Sequence, residues 1–144
     1  MQLLVELIKQ MMFQEGTYEC ADAEDLKALE QIYYTNNEYE EALETIELTL
    51  NRTSEELVLE GEDLGVKIQA YFRTGMIYMK WGEYNKAIDG FTGALKLSYK
   101  NEDDQWWKAH YYRRLGLVYY FMGDYVNASK KYLEAYKLST PVKD

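Results

Sequence analysis

Apolar residues recur every three to four positions along almost the whole chain, the spacing of one face of an α-helix. Tyr71, Gly75, Tyr78 and Met79 form one such run, and Ala87, Phe91, Ala94 and Leu95 form another. No stretch of useful length alternates apolar and polar residues as a half-buried strand would. The pattern predicts a leading helix over about residues 2–14, where Leu4, Val5, Ile8, Met11 and Met12 hold the spacing. Six more are predicted over about 22–35, 38–59, 64–80, 84–99, 104–121 and 125–139. Short linkers are expected near Glu15–Ala21, Gly61–Asp63 and Lys100–Asp103. One proline and nine glycines leave few helix breakers, which argues against a turn-rich all-β fold.

The helices fall into a repeat. Asn37-Glu38-Tyr39 followed by Glu41-Ala42-Leu43 returns as Gly82-Glu83-Tyr84 followed by Lys86-Ala87-Ile88. It returns again as Gly123-Asp124-Tyr125 followed by Asn127-Ala128-Ser129, at intervals of 45 and then 41 residues. Gly75 and Gly116 stand seven residues before the two turn glycines, and Ala94-Leu95 and Ala135-Tyr136 follow twelve after. Glu30 and Thr49 occupy the corresponding places in the first copy, which is therefore degenerate. Small residues on one face of each helix let two backbones approach, while the turn element ends the first helix in a left-handed residue and restarts the second. Gly90 and Gly93 lie inside a helix, where each costs about 1 kcal/mol relative to alanine; close packing is the one reason the sequence suggests for them. The difference between the two intervals is about one helical turn, so the second helix of the first pair is expected to be longer.

Two series carry a resemblance: Tyr71, Gly75, Tyr78, Gly82, Tyr84, Ala87, Phe91, Ala94, and Tyr112, Leu115, Gly116, Tyr119, Gly123, Tyr125, Ala128, Tyr132, Ala135. Together they resemble the tetratricopeptide repeat signature over about residues 22–140, in a long-period variant. The family's usual period is about 34 residues and its pairs end in proline, whereas here only Pro141 answers to that. The resemblance implies an all-α, right-handed α-α superhelix, a solenoid of three helix pairs (about 22–59, 64–99 and 104–139) with a leading N-terminal helix. Residues 1–144 are then one domain, stable through nearest-neighbour stacking.

Charge and composition narrow the function. The net charge of -9 disfavours nucleic acid and anionic membrane as partners, since binding there rests on lysine and arginine meeting phosphates. A lone cysteine, Cys20, fits a reducing, cytoplasmic setting. Met1–Phe13 is apolar, but Glu6 and Lys9 interrupt it, and it is shorter than the roughly 20 residues that span a bilayer. Asn51-Arg52-Thr53 and Asn127-Ala128-Ser129 are chance matches to the glycosylation sequon. With His110 the only histidine, no multi-histidine metal site and no nucleophile–base set can be assembled, so no enzyme activity, metal or cofactor is expected. The acidic stretches Glu60–Asp63 and Asn101–Asp104 read as solvated loops and helix N-termini, where carboxylates favour the helix dipole.

In the family the outward positions of each pair's first helix line a concave groove. The resemblance places there Lys27, Gln31 and Tyr34 of the first copy, and Gln69, Phe72, Arg73, Met76, Met79 and Lys80 of the second. The third copy supplies His110, Arg113, Arg114, Leu117, Tyr120 and Phe121. Six of these, Lys27, Arg73, Lys80, His110, Arg113 and Arg114, are basic or able to become so. They suit an acidic peptide or a free C-terminal carboxylate, or else balance acidic neighbours on adjacent helices. The carboxylate clamp of chaperone-binding members is matched at Lys27 and Arg114, while Gln31, Arg73 and His110 depart from it. The function implied is a non-enzymatic protein- or peptide-binding adaptor; the alternatives are a structural self-association module and a regulatory subunit. Val126, Tyr132, Leu133, Tyr136 and Leu138 leave the last helix apolar with only residues 140–144 to follow, and the leading helix is apolar too. A homodimer through one of those helices is expected, or else a further helix of a longer array covers Tyr132 and Tyr136.

Overall fold

The computed structural model describes residues 23–53, 61–99 and 105–139. Among them are six helices and no strand: α1 Ala23–Thr35, α2 Tyr39–Thr53, α3 Gly61–Lys80, α4 Tyr84–Ser98, α5 Gln105–Met122 and α6 Tyr125–Ser139. The all-α arrangement of helix pairs follows the predicted pattern. The leading helix, the linkers at 15–21 and 100–103 and the end of the second helix beyond Thr53 lie outside the described residues. One linker is corrected: Gly61–Asp63 opens α3 instead of preceding it.

All three turns are built alike. Asn37, Gly82 and Gly123 have φ of 63°, 77° and 83°, the left-handed region the repeat motif requires. At each, the left-handed residue's N–H donates to a carbonyl three residues back, from Asn37 to Tyr34, Gly82 to Met79 and Gly123 to Tyr120. The next N–H reaches five residues back, from Glu38 to Tyr33, Glu83 to Tyr78 and Asp124 to Tyr119. This paired closure is the Schellman motif, and the following helix starts at once with Ala42, Ala87 and Ala128 donating to Glu38, Glu83 and Asp124.

Contacts divide the chain into two compact units, Met1–Lys67 and Ile68–Asp144. In the first, α1 packs on α2, with Leu26, Leu29 and Tyr33 buried on one helix and Ala42 and Ile46 on the other. Thr49, standing where the later copies have alanine, is buried because its hydroxyl donates to Thr45 O at 3.0 Å. Its own helix satisfies it. In the second unit α5 packs against both α4 and α6. Here the small residues explain themselves. A Cβ on Gly75 would lie 2.8 Å from the Phe91 ring, and one on Gly116 would lie 2.9 Å from the Tyr132 ring. Gly90 meets Gly75 backbone to backbone, with a Cβ there only 2.6 Å from Gly75 N, and a Cβ on Gly93 would press the Tyr71 ring at 2.8 Å. Ile77, Ala87, Phe91, Ala94, Leu115, Val118 and Ala135 complete the unit's core.

Candidate functional site

Helix α5 is held by α4 and α6, which leave one strip of it open except where Phe72 of α3 meets His110. Lys108, Ala109, Tyr111, Leu115, Gly116 and Val118 are buried. Trp106, His110, Arg113, Leu117 and Tyr120 recur at steps of four and three residues and stay exposed or half-buried. Half-buried Arg114 flanks this row, and Phe121, 52% exposed, extends it.

Phe72 joins α3 to this strip. Its ring centroid lies 5.5 Å from Phe91, 5.4 Å from His110 and 5.6 Å from Tyr111, so it forms a shared wall rather than an open groove position. On the same helix Arg73, Met76 and Met79 are half-buried, while Gln69 and Lys80 are exposed.

His110 sits at the centre. The Trp106 indole stacks on its ring at 5.7 Å with planes 4° apart, and Trp107 meets it edge-on at 6.0 Å. Its Nδ1 accepts a hydrogen bond from Arg113 Nη2 at 3.0 Å. A guanidinium can only donate, so the acceptor tautomer, with its proton on Nε2, is assigned from that partner. Burial foremost, then the charges of Arg114 and Arg113, hold the imidazole pKa below its ordinary 6.5. His110 is thus a neutral acceptor near pH 7 and not one of the face's cations. Arg73, Lys80, Arg113 and Arg114 carry the positive charge of this unit's face.

At its far end the strip runs into more aromatic surface. Phe121 stacks on Tyr84 at 6.3 Å with planes 17° apart, and Tyr120 lies 5.7 Å from Tyr125. The first-copy positions Lys27, Gln31 and Tyr34 form a row on α1 in the other unit, where Gln31 is exposed and Tyr34 lies 5.6 Å from Tyr39. Sequence reasoning missed Trp106, Trp107 and Tyr84. Trp106 was findable, since it stands one helical turn before His110. Among the described residues no three His, Cys, Asp or Glu side chains gather as a metal site would need, and no helix is long and apolar enough to cross a membrane.

Residues 68–101 match the family model for the tetratricopeptide repeat. No curated protein sequence matches the chain. Among solved structures the chain is similar to BtubC (BKLC) from P. vanneervenii, at 21% identity and TM-score 0.64, over 93% of this chain and 52% of that one. It is also similar to MamA AMB-1, at 17% identity and TM-score 0.70, over 96% of this chain and 64% of that one. The chain therefore spans about half the length of the first and under two thirds of the second. At these identities the likeness is one of fold.

Proposed function

We propose that this chain, a helical-repeat interaction scaffold with a tetratricopeptide repeat at residues 68–101, is a non-enzymatic adaptor that binds an acidic protein segment or peptide on the α3–α5 face. The observation that carries the reading is the strip of Trp106, His110, Arg113, Leu117 and Tyr120, left uncovered by α4 and α6 and flanked by Arg114. Guanidinium groups beside exposed aromatic rings suit carboxylates interleaved with apolar side chains, the chemistry of helix-in-groove and acidic-motif recognition. A neutral imidazole, stacked on an indole and engaged by an arginine at Nδ1, supports a shaping role rather than general-base work. Cys20 supports a reducing, cytoplasmic setting.

Fluorescence anisotropy with a labelled peptide alternating Glu and Leu tests the reading. Saturable binding should weaken about tenfold or more in Arg73→Ala/Arg114→Ala, since truncating one partner of a charge pair typically costs 2–5 kcal/mol when buried and less at a rim. Equal binding by wild type and a correctly folded double variant would remove this face from consideration.

A second reading is self-association through α6, favoured by the exposure of Val126, Leu133 and Tyr136 at 68%, 52% and 67%. Light scattering after size exclusion, with Leu133→Glu as the probe, tests it. A smaller species in the variant supports the α6 contact, and a wild-type monomer at high micromolar concentration excludes it.

A further inference from the structure

Charge is divided unevenly between the two units. Residues 1–67 hold 17 acidic and 4 basic residues, a net -13, whereas residues 68–144 hold 8 and 12, a net +4. Within the first unit part of the acid has a definite shape. Glu40, Glu44 and Glu47 stand four and three residues apart on α2 with Glu41 beside them. All four are exposed; Glu40, Glu44 and Glu47 lie on the face opposite buried Ala42, Thr45, Ile46 and Thr49, and Glu41 lies at its edge. Among the described residues none of the four enters an ion pair. Glu40 and Glu41 stand in the first turn, where the helix dipole favours them, whereas Glu44 and Glu47 repel each other one turn on, and a cationic partner would lower that repulsion.

The uncovered strip of α5 has the same four-and-three spacing through Trp106, His110 and Arg113. Among the described residues Arg113 and Arg114 also make no ion pair, and their field already reaches the neighbouring imidazole. We infer that the occupant of this face is the acidic face of α2 from a second copy of this chain, so that copies join head to tail. The inference rests on the reading of the α5 strip as a binding face and names its partner. Two copies at -9 each repel overall. Acid-to-acid or base-to-base contacts between these surfaces add to that repulsion, and only the acid-to-base contact offsets it. A heterologous contact of this kind does not stop at a dimer unless the rotation closes a ring, so mass should keep rising with concentration.

Sedimentation velocity on the full chain tests this at about 0.1 M and about 1 M NaCl, where the screening length falls from about 10 Å to about 3 Å. Wild type should associate at low salt and dissociate at high salt. Glu40→Lys/Glu44→Lys/Glu47→Lys and Arg113→Glu/Arg114→Glu should each weaken association at least about tenfold, because each places like charges face to face. Mixing the two variants should restore it, since each reversed face then meets its complement. Arg113→Glu alone, at an exposed position, serves if the double reversal unfolds. A wild type that stays monomeric at high micromolar concentration and low salt overturns the inference, as does a mixture of folded variants that fails to associate. The Glu/Leu peptide separates the two readings. If it binds wild type but not Arg113→Glu/Arg114→Glu while the chain remains monomeric, the binding face stands and the self-partner falls. If neither peptide nor second copy binds, both fall.

Discussion

Replacing Gly90 with alanine sets two effects of opposite sign against each other. Gly90 lies inside α4, where alanine is preferred by about 1 kcal/mol on intrinsic helix propensity. Against that, the added Cβ would lie 2.6 Å from Gly75 N and 2.9 Å from both Gly75 Cα and Tyr71 O. All three are inside the 3.0 Å below which Cβ contacts essentially do not occur. The atoms it meets are backbone, so no rotamer change can clear them. Helices α3 and α4 must move apart, which also loosens Phe91 over Gly75. Overpacking of this kind costs about 1–3 kcal/mol and at a backbone-to-backbone contact lies at the upper end, leaving a net loss of about 1–2 kcal/mol. At about 4 °C per kcal/mol for a chain of this size, the melting midpoint should fall by several degrees. Gly65→Ala is the control. It too is inside a helix, but a Cβ there meets nothing within 4 Å, so stability should rise by about 0.5–1 kcal/mol. Thermal and urea melts followed by helical circular dichroism read both variants. A Gly90→Ala chain as stable as wild type would refute the close-contact reasoning.

Other consequences follow from the turns and from His110. Gly82→Ala and Gly123→Ala should each cost about 1–2 kcal/mol, since both adopt positive φ, whereas Asn37→Gly should not destabilise; melts of the three variants check the contrast. Asp124 caps α6 by accepting from Asn127 N at 3.2 Å, while Glu83 makes no side-chain bond to cap α4. Asp124→Ala should therefore lower the melting midpoint and Glu83→Ala leave it nearly unchanged. Hydrogen bonds from the Asn127 side chain and backbone hold the Asp124 carboxyl below its ordinary range. The cap's contribution should be present at neutral pH and fade as pH falls through that depressed value. NMR titration of the single imidazole should give a pKa below 6.5, raised by Arg114→Ala and by Arg113→Ala. The unfolded chain then takes up the proton first, so stability should decline as pH falls below about 6.5; a pKa above 6.5 would contradict the packing around His110.

The three turns were legible in the sequence because their chemistry is local. A residue able to hold positive φ, followed by a helix start, needs no knowledge of what lies across the fold, and Asn37, Gly82 and Gly123 behave as their identities require. Gly90 and Gly93 were legible only as small residues that permit close packing, without the neighbours they meet. Their reason is a neighbour on another helix, the Gly75 backbone in one case and the Tyr71 ring in the other. Gly61–Asp63 read as a linker because glycine and acids serve both loops and first turns, and only the hydrogen-bonded helix separates the two. At the candidate site the outward row on α5 came through helical spacing. The charge state of His110 did not, because it depends on burial and on which ring nitrogen an arginine engages. Nor could spacing reveal that Phe72 would wedge between Phe91, His110 and Tyr111 instead of lining open surface.

The chain's three tryptophans offer the most direct test of the binding face. Trp106 and Trp107 flank His110 on the α5 strip, whereas Trp81 lies at the turn after α3 beside Tyr78. In a proton–nitrogen NMR titration with the Glu/Leu peptide, the indole signals of Trp106 and Trp107 should shift together with the His110 ring. The Trp81 indole should stay in place, and in Arg73→Ala/Arg114→Ala the same shifts should need about tenfold or more peptide. Shifts confined to Trp81, or binding that leaves Trp106, Trp107 and His110 unmoved, would contradict the account.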